Sequence, residues 1–254
     1  CIPCGPTMAG NHAALFPEMM SEIDAACREM RAITLVMEPN QHFELEGTFK
    51  QHGFARWMTP IQPPETMSVP IFDDETMLSQ MHHKTRYHVR LAQRHGVVAE
   101  PHPADSTAIE QFHQLHAETS ARSPVPHQPK DYFSDLLASF SDQATLVFAD
   151  ADGRPTPGAP LERFGHETSY LFAGSAKETR GQGAGAAVVF RCLQWARDHG
   201  STVLDMGGVV NAPKLRAFKA GCGAAENVHP LPMERRYRPG LAFGARRALA
   251  TARL

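Results

Sequence analysis

The chain has 254 residues, of which 42% are hydrophobic and 20% are charged, as in an ordinary globular protein. Its net charge of -2 gives no general signal for nucleic acid, so RNA would have to bind a local basic patch, and we expect no DNA partner. The sequence contains no run of 18 apolar residues, which argues against a membrane span.

The N-terminal residues, the cysteines and the histidines restrict the class of protein further. The start, CIPCGPTMAG, lacks the basic segment and apolar core of a signal peptide. We therefore expect a cytoplasmic protein, with peripheral binding to the inner face of the membrane as an option. The 5 cysteines are scattered, and no second pair follows Cys1-Ile-Pro-Cys4 at zinc spacing. His113 and His116 share a predicted helix face, for which a surface position is favoured, and we predict no metal site.

Predicted helices and strands alternate in the first part of the chain. Apolar residues recur at helical spacing over 11–30, and the apolar run 33–37 is a predicted strand that stops at Glu38-Pro39. A short helix is predicted over 42–52, and strands interrupted by prolines over 54–72. Because this α/β pattern has no recognisable start and the chain lacks an initiator methionine, we expect a first domain that is incomplete at its N-terminus.

A helix predicted over 74–95 carries the densest cationic stretch of the chain. Acidic residues occupy its first turn and basic residues its last turn, which suits the helix dipole. Its cations are Lys84, Arg86, Arg90 and Arg94. Two interpretations stay open, namely a solvated helix face and a patch that binds the phosphates of RNA or of a nucleotide-linked substrate.

The second part of the chain has a specific order of elements, β-α-α-β-β-β-α-β-α-β over 97–229. Periodicity and turn signals predict strands at 97–101, 144–149, 158–164, 168–174, 202–206 and 223–229, and helices at 105–120, 130–140, 182–199 and 211–220. This order resembles the N-acetyltransferase-like (GNAT) fold, in which a central strand, a loop and a long helix hold an acyl donor. A basic tail, 232–254, follows with an amphipathic helix in its second half.

A glycine-rich loop precedes the longest of these helices. It reads Arg180-Gly181-Gln182-Gly183-Ala184-Gly185 and resembles the pyrophosphate loop of acetyl-CoA-dependent acetyltransferases. Glycines allow backbone N–H groups to point at an anion, and the helix N-terminus adds partial positive charge. The alternative is a helix start whose small residues serve packing.

A longer resemblance is carried by motifs spread over nearly the whole chain. Residues 84–97 read KTRYHVRLAQRHGV and resemble a signature of the Fem family, the aminoacyl-tRNA-dependent transferases that build peptidoglycan interpeptide bridges. Further matches occur in the family's order: IPCGP at 2–6, MEP at 37–39, LHAETSAR at 115–122, YLFAGS at 170–175, LDMGG at 204–208 and FKAGCG at 218–223.

The resemblance implies an α/β (α+β) fold with two GNAT-like domains in tandem. On that basis residues 1–72 are the C-terminal part of a first domain, and 73–96 form a connecting basic helix. Residues 97–230 are a complete second domain, and the basic tail 231–254 packs back on the first domain.

The resemblance also implies roles for single residues. Lys219 matches a lysine near the transferred ester, where an ammonium could hold a phosphate or the developing oxyanion. Arg122 matches an arginine that binds the diphosphate of the acceptor. Glu38 stands where an Asp is usual, and would be a general base or orient the acceptor amine. Tyr170 is either a catalytic donor at the strand edge or an inward-facing core tyrosine.

The remaining substrate contacts are assigned to Phe218 and to the basic helix, through Lys84, Arg86 and Arg90. The leading hypothesis is transfer of an amino acid from charged tRNA to an amine of a nucleotide- or lipid-linked peptidoglycan precursor, without a cofactor. The family commonly lacks the loop glycines that this chain keeps, so an N-acyltransferase that uses acetyl-CoA or another acyl-CoA is the alternative. A truncated, inactive paralogue that acts as a binding module is the third hypothesis.

Overall fold

Two units make up the computed structural model, which describes residues 1–2, 5, 12–39, 46–57, 60–123, 126–151, 154–176 and 183–238. Residues 1–64 and 228–254 belong to the first unit, and residues 65–227 to the second. Outside the described residues lie Asp152-Gly153, a pair that predicts a hairpin turn, the loop residues Arg180 and Gly181, and most of the basic tail.

The first unit contains a three-stranded antiparallel sheet with helices beside it. The central strand of this sheet comes from the end of the chain, because β10 pairs with both β1 and β2. Phe49 lies edge-on to Phe16 and to Phe54, with ring centroids 5.0 and 5.1 Å apart, and these rings form the core. The described elements are α1 (His12–Glu29), β1 (Thr34–Met37), α2 (Glu46–Gln51), β2 (Ala55–Arg56) and β10 (Met233–Arg236).

The second unit is built on a seven-stranded sheet in the order β4-β5-β6-β7-β8-β3-β9. Its strands are β3 (Glu65–Pro70), β4 (Val98–His102), β5 (Ala144–Ala151), β6 (Arg154–Phe164), β7 (Glu167–Ser169), β8 (Val203–Gly208) and β9 (Ala225–Val228). Its helices are α3 (Asp74–Gln80), α4 (His83–Arg94), α5 (Ser106–Ser120), α6 (Lys130–Phe140), α7 (Ala184–Asp198) and α8 (Pro213–Gly221).

Helices cover both faces of this sheet, and alternation along β5 shows how. Val147 and Ala149 join the cluster that contains the apolar face of α7, whereas Leu146 and Phe148 join the cluster of α5 and α6. Because α7 buries residues on most of its circumference, it is the central helix of the unit.

The central strands part at one end of the sheet. β7 and β8 pair in parallel up to Ser169 and Asp205, and the amide of Tyr170 still donates to the carbonyl of Asp205 at 2.7 Å. Beyond Tyr170 the described residues show no pairing with β8; Gly174 instead exchanges hydrogen bonds of 2.8 and 2.9 Å with Gly158 of β6. The chain therefore leaves a gap between the two strands.

The cationic helix predicted over 74–95 is two helices in the structure. The backbone is extended at Met81, and the ring of His82 accepts a hydrogen bond from the amide of Lys84 to begin α4. Arg86 donates to the carbonyls of Leu78, Ser79 and Met81, at 3.3, 2.7 and 3.1 Å. The Arg86 guanidinium thus caps the end of α3 instead of facing solvent.

The sheet of the second unit also contains a strand that the sequence pattern placed elsewhere. β3 precedes residue 72, the predicted domain boundary, yet it pairs antiparallel with β8 inside the second unit. The two helices of the predicted connector, α3 and α4, belong to the same unit.

Candidate functional site

A cleft of about 390 Å³ occupies the gap where β7 and β8 part. Six parts of the second unit line it. They are Thr85 and His88 of α4, Thr119 of α5, Pro157 and Gly158 of β6, Tyr170 and 173–176 after β7, residues 183–186 and Val188 at the start of α7, and Phe218 of α8. Ligands of open α/β sheets bind at such strand ends, where helix N-termini also point.

The start of α7 forms one side of the cleft and depends on Gly183. This glycine has a φ of +79°, and a Cβ there would overlap the carbonyl oxygen of His88 and lie 2.9 Å from its carbon. Only glycine allows α7 to begin this close to α4. Gly185, by contrast, has open space where a side chain would be. Packing therefore explains Gly183, one of the loop glycines, without any acyl-CoA.

Two of the sequence motifs meet at the opposite wall. Gly158 and Gly174 form an antiparallel backbone pair. A Cβ on Gly174 would be 2.8 Å from the amide nitrogen of His116 on α5. The next residue, Ser175, donates its amide to Thr119 Oγ1 at 3.0 Å. Arg122 donates to the hydroxyl of Ser175 at 2.6 Å and also to its carbonyl.

Lys219 lies beneath the end of β8 with only 4% of its surface exposed. Its Nζ donates to the carbonyls of Gly207 and Gly208 at 3.1 and 2.9 Å, which joins the LDMGG and FKAGCG motifs. Burial lowers the pKa of Lys219 to about 8, and the carboxylate of Asp205 opposes that shift. Among the described residues the cleft lining includes the neighbouring Phe218 but not Lys219.

Tyr170 is the inward-facing core tyrosine of the two interpretations, and its catalytic role stays a prediction. Its side chain is buried in the core cluster around α7, and it also lines the cleft. Burial raises the pKa of the phenol well above its ordinary value, and the Cys192 and Cys222 thiols add to that effect. The hydroxyl is therefore protonated at neutral pH and can donate a hydrogen bond.

Glu38 is in the first unit, with 5% of its surface exposed. Its two carboxylate oxygens accept hydrogen bonds from the backbone amides of Ile61 and Gln62, the latter at 3.0 Å. These bonds hold the 61–62 turn, so the side chain has a structural function already. Its contact with an acceptor amine stays a prediction.

The remaining cations of α4 are exposed, unlike Arg86. Lys84, Arg90 and Arg94 form no ion pair within the part of the chain that the structure describes. Arg94 lies over the ring of Tyr87, 5.6 Å from its centroid, while the opposite face of α4 is buried through Val89 and Ala92. The predicted basic patch is thus present, but without Arg86.

The histidines at α5 correct the expectation of a surface position. His116 is fully buried, its Nε2 accepts from the amide of Gln128 at 3.3 Å, and its ring packs against Phe112 and Phe133. Burial lowers its pKa, and the nearby His127 and His113 rings act in the same direction.

The described ranges contain neither a cluster of metal ligands nor a helix suited to span a membrane. No group of three His, Cys, Asp or Glu side chains in them is arranged to hold a metal ion. Likewise, none of the helices described in these ranges is both long and apolar enough to cross a bilayer.

Four polar lining residues, Thr85, His88, Thr119 and Ser175, were not assigned from the sequence. Thr119 and Ser175 belong to the LHAETSAR and YLFAGS motifs, and this membership could have indicated that they lie at the site. Thr85 and His88 belong to the 84–97 signature, in which the substrate contacts were assigned to the neighbouring cations.

Comparisons with known proteins agree with this geometry. The UDP-N-acetylmuramoylpentapeptide-lysine N(6)-alanyltransferase of Weissella viridescens is 26% identical over 221 residues, 81% of this chain and 65% of that protein. The chain thus spans slightly less than two thirds of that relative. This match confirms the resemblance to the Fem family that the sequence motifs indicate.

Solved structures show the same fold at low identity. FemX superimposes with a TM-score of 0.84 at 18% identity, covering 94% of this chain and 81% of FemX. L-PGS from Bacillus licheniformis has a TM-score of 0.56 at 16% identity, covering 88% and 74% of the two chains. A family model described as an acetyltransferase (GNAT) domain matches residues 79–219, which is more than half of the chain and confirms the predicted fold. The chain belongs to this GNAT acetyltransferase-domain family.

Proposed function

We propose that this protein is an aminoacyltransferase that moves an amino acid from the 3′ ester of a charged tRNA to an amine of a peptidoglycan precursor. One observation carries the proposal: Fem-like motifs that lie far apart in the sequence pair with each other around one cleft. Ser175 joins Arg122 and Thr119, and Gly207 and Gly208 join Lys219. The name of the Weissella relative, an alanyltransferase acting on a UDP-linked muramoylpentapeptide, supports the substrate class.

The chemistry needs positioning and charge stabilisation more than a strong base. The acceptor amine forms a bond to the ester carbonyl carbon, and the carbonyl oxygen becomes an oxyanion. The bond to the tRNA oxygen then breaks, and the tRNA 3′ hydroxyl leaves with the proton that the amine gives up. Hydrogen-bond donors fixed in the cleft lower the barrier of this step. Tyr170, which borders the cleft and whose pKa is raised by burial, is proposed to supply one such hydroxyl.

The acyl-CoA alternative rests on the loop glycines, and two of these glycines, Gly183 and Gly185, differ in their surroundings. Gly183 is required by the approach of α7 to α4, so its presence is no indication of CoA. Gly185 has no such packing role and lines the cleft. A substitution there therefore tests whether the loop binds the pyrophosphate of CoA.

We expect the protein to transfer the amino acid from charged tRNA to a muramoylpentapeptide. When acetyl-CoA replaces the charged tRNA, we expect no acetylated pentapeptide. Mass spectrometry of the pentapeptide measures both outcomes. Gly185→Val keeps the fold because the site is open, and it separates the two donors. Saturable CoA binding by the wild type that Gly185→Val weakens, without aminoacyl transfer, would establish the alternative.

The exposed cations of α4 are proposed to contact phosphates of the RNA. Replacing both Arg90 and Arg94 by glutamine is expected to weaken tRNA binding and to reduce the slope of log K against log salt by about 1.5, since each contact contributes roughly 0.7 to 0.9. Filter binding at several salt concentrations measures the slope. The matched control is Arg28→Gln on α1, an exposed arginine of the first unit, which should leave the slope unchanged.

Arg86→Gln separates structural from RNA-binding arginines on the same helix. Since this guanidinium caps α3 through three carbonyls, we expect the variant to lose stability while the salt slope stays the same. An unchanged slope in the Arg90/Arg94 double variant would show that the exposed face of α4 is only solvated.

A further inference from the structure

An open groove of about 730 Å³ runs along the exposed side of α4. Among the described residues its lining is polar or aromatic and contains no carboxylate: His83, Arg86, Tyr87, Arg90, Gln93 and Arg94. Residues 83, 87, 90 and 94 follow one another at intervals of 4, 3 and 4 positions, so they share one stripe of the helix. The groove is therefore a second surface of the second unit, separate from the cleft.

The positive charge of this helix is not compensated. Arg86, Arg90 and Arg94 are spaced 4 residues apart, and like charges at that spacing destabilise a helix. The sequence of α4 contains no Asp or Glu, and Arg90 and Arg94 form no ion pair with any described residue. A surface of this kind favours an anionic partner with several charges, such as the phosphates of a nucleic acid.

Tyr87 adds an aromatic ring to the charged stripe. It has 53% of its surface exposed, so it contributes little to the core. The guanidinium of Arg94 lies over the ring, 5.6 Å from the centroid. A phenol ring and a guanidinium are both flat, and both stack on unpaired nucleobases. An exposed ring among cations is thus suited to a single-stranded nucleic acid more than to a duplex.

The same helix connects the groove with the cleft. Thr85 and His88 line the cleft, and the backbone of His88 lies against the start of α7. Tyr87 is next to His88 in the chain but belongs to the lining of the groove. Because a helix with its side chains is about 10–12 Å across, a single strand that leaves the cleft passes α4 within a few nucleotides. The unpaired 3′ end of a tRNA has that length.

We propose that Tyr87 and Arg94 form a stacking platform for one base of the unpaired 3′ end of the tRNA, while Arg90 contacts a phosphate of the same strand. This inference rests on the proposed aminoacyl transfer, and it states which part of the donor lies on α4. The base adds to the existing stack of ring and guanidinium. The aminoacylated end then continues past His88 into the cleft.

Fluorescence anisotropy with two RNA hairpins of the same stem tests the platform. One hairpin ends in unpaired CCA, and the other is blunt. We expect Tyr87→Leu to weaken binding of the CCA hairpin about tenfold, the contribution of one stacked base, and to leave binding of the blunt hairpin within about twofold. The slope of log K against log salt should stay the same, because no charge is lost.

Two further variants are matched controls. Tyr87→Phe keeps the ring and should bind both hairpins as the wild type does. Phe164→Leu removes an aromatic ring that is 82% exposed at the end of β6, and it should also leave both affinities unchanged. Placing 2-aminopurine at each unpaired position in turn identifies the stacked base. One position should lose fluorescence on binding to the wild type and to Tyr87→Phe but not to Tyr87→Leu.

Three results would overturn the platform. The first is binding of the CCA hairpin by Tyr87→Leu within about twofold of the wild type, which is less than one stacked base contributes. The second is an equal loss for the CCA and the blunt hairpin. The third is binding of a polyglutamate peptide as tight as that of the CCA hairpin and lost in Tyr87→Leu, which would assign the groove to an acidic protein segment.

The transfer assay separates this inference from the proposed function. A wild type that transfers the amino acid from charged tRNA, together with a Tyr87→Leu variant that binds and transfers equally well, would refute the platform alone. A wild type that binds the CCA hairpin through Tyr87 but transfers nothing would support the platform and refute the proposed aminoacyl transfer.

Discussion

Replacing Glu162 by glutamine is expected to stabilise the protein by about 3 kcal/mol near pH 8 and to change almost nothing near pH 4. Glu162 lies on β6 with 3% of its surface exposed, and neither carboxylate oxygen accepts a hydrogen bond from another described residue. Burial without a partner raises its pKa from 4.5 to about 7. The ionised side chain is therefore a cost that the uncharged amide avoids.

The sign follows from the two protonation equilibria. Below pH 4.5 the carboxyl group is protonated in the folded and in the unfolded chain, so no difference arises. Between 4.5 and about 7 the unfolded chain ionises first, and the folded state loses stability as pH rises. Above that range the deficit is constant, and at about 1.4 kcal/mol for each pH unit it amounts to about 3 kcal/mol.

Urea unfolding of the wild type and of Glu162→Gln between about pH 4 and pH 8 measures this difference. Glu75→Gln, an exposed carboxylate of α3, is the matched control and should leave the pH dependence as it is. Two parallel curves for wild type and Glu162→Gln would mean that the buried carboxylate has found a partner that offsets its burial.

Replacing Lys219 by alanine is expected to lower the rate of aminoacyl transfer more than a hundredfold and the unfolding free energy by about 2 kcal/mol. The ammonium satisfies two backbone carbonyls at the end of β8, and its loss leaves both unpaired beside a cavity. Because Gly207 and Gly208 stand where β8 parts from β7, their displacement alters the region of the cleft.

Single-turnover rates and urea unfolding distinguish the two contributions, and Lys214→Ala, an exposed lysine of the same helix, is the control for both. The pKa of about 8 adds a second signature: the ammonium loses its proton as pH rises through 8, and the rate should fall there. Transfer that survives Lys219→Ala undiminished would remove this residue from the mechanism.

The fold could be predicted from the sequence because its signals are local. The long amphipathic helix after the glycine loop, now α7, and the apolar strand that became β8 each show their own periodicity. The division of the cationic helix into α3 and α4 could not be predicted, because no glycine or proline marks Met81. It is stabilised by side-chain hydrogen bonds from Arg86 to carbonyls on the other side of the break, and helical periodicity does not show such bonds.

The candidate site was predicted as a set of residues but not as a set of contacts. Phe218 and Lys219 are neighbours in sequence, yet one lines the cleft and the other is buried under Gly207 and Gly208. The packing of α8 decides which of these two side chains is directed towards a substrate, and the sequence pattern does not reveal that packing. The pairing of Arg122 with Ser175 likewise joins residues 53 positions apart.

The glycines around the cleft differ in whether a second mutation could compensate for their loss. A Cβ at position 158 would meet the Phe148 ring at 2.5 Å, and a smaller residue at 148 would make room for it. A Cβ at position 183 would meet the backbone carbonyl of His88, which every residue at position 88 retains. Homologous sequences can therefore exchange Gly158 together with Phe148, whereas Gly183 can vary only where the backbones of α4 and α7 have moved apart.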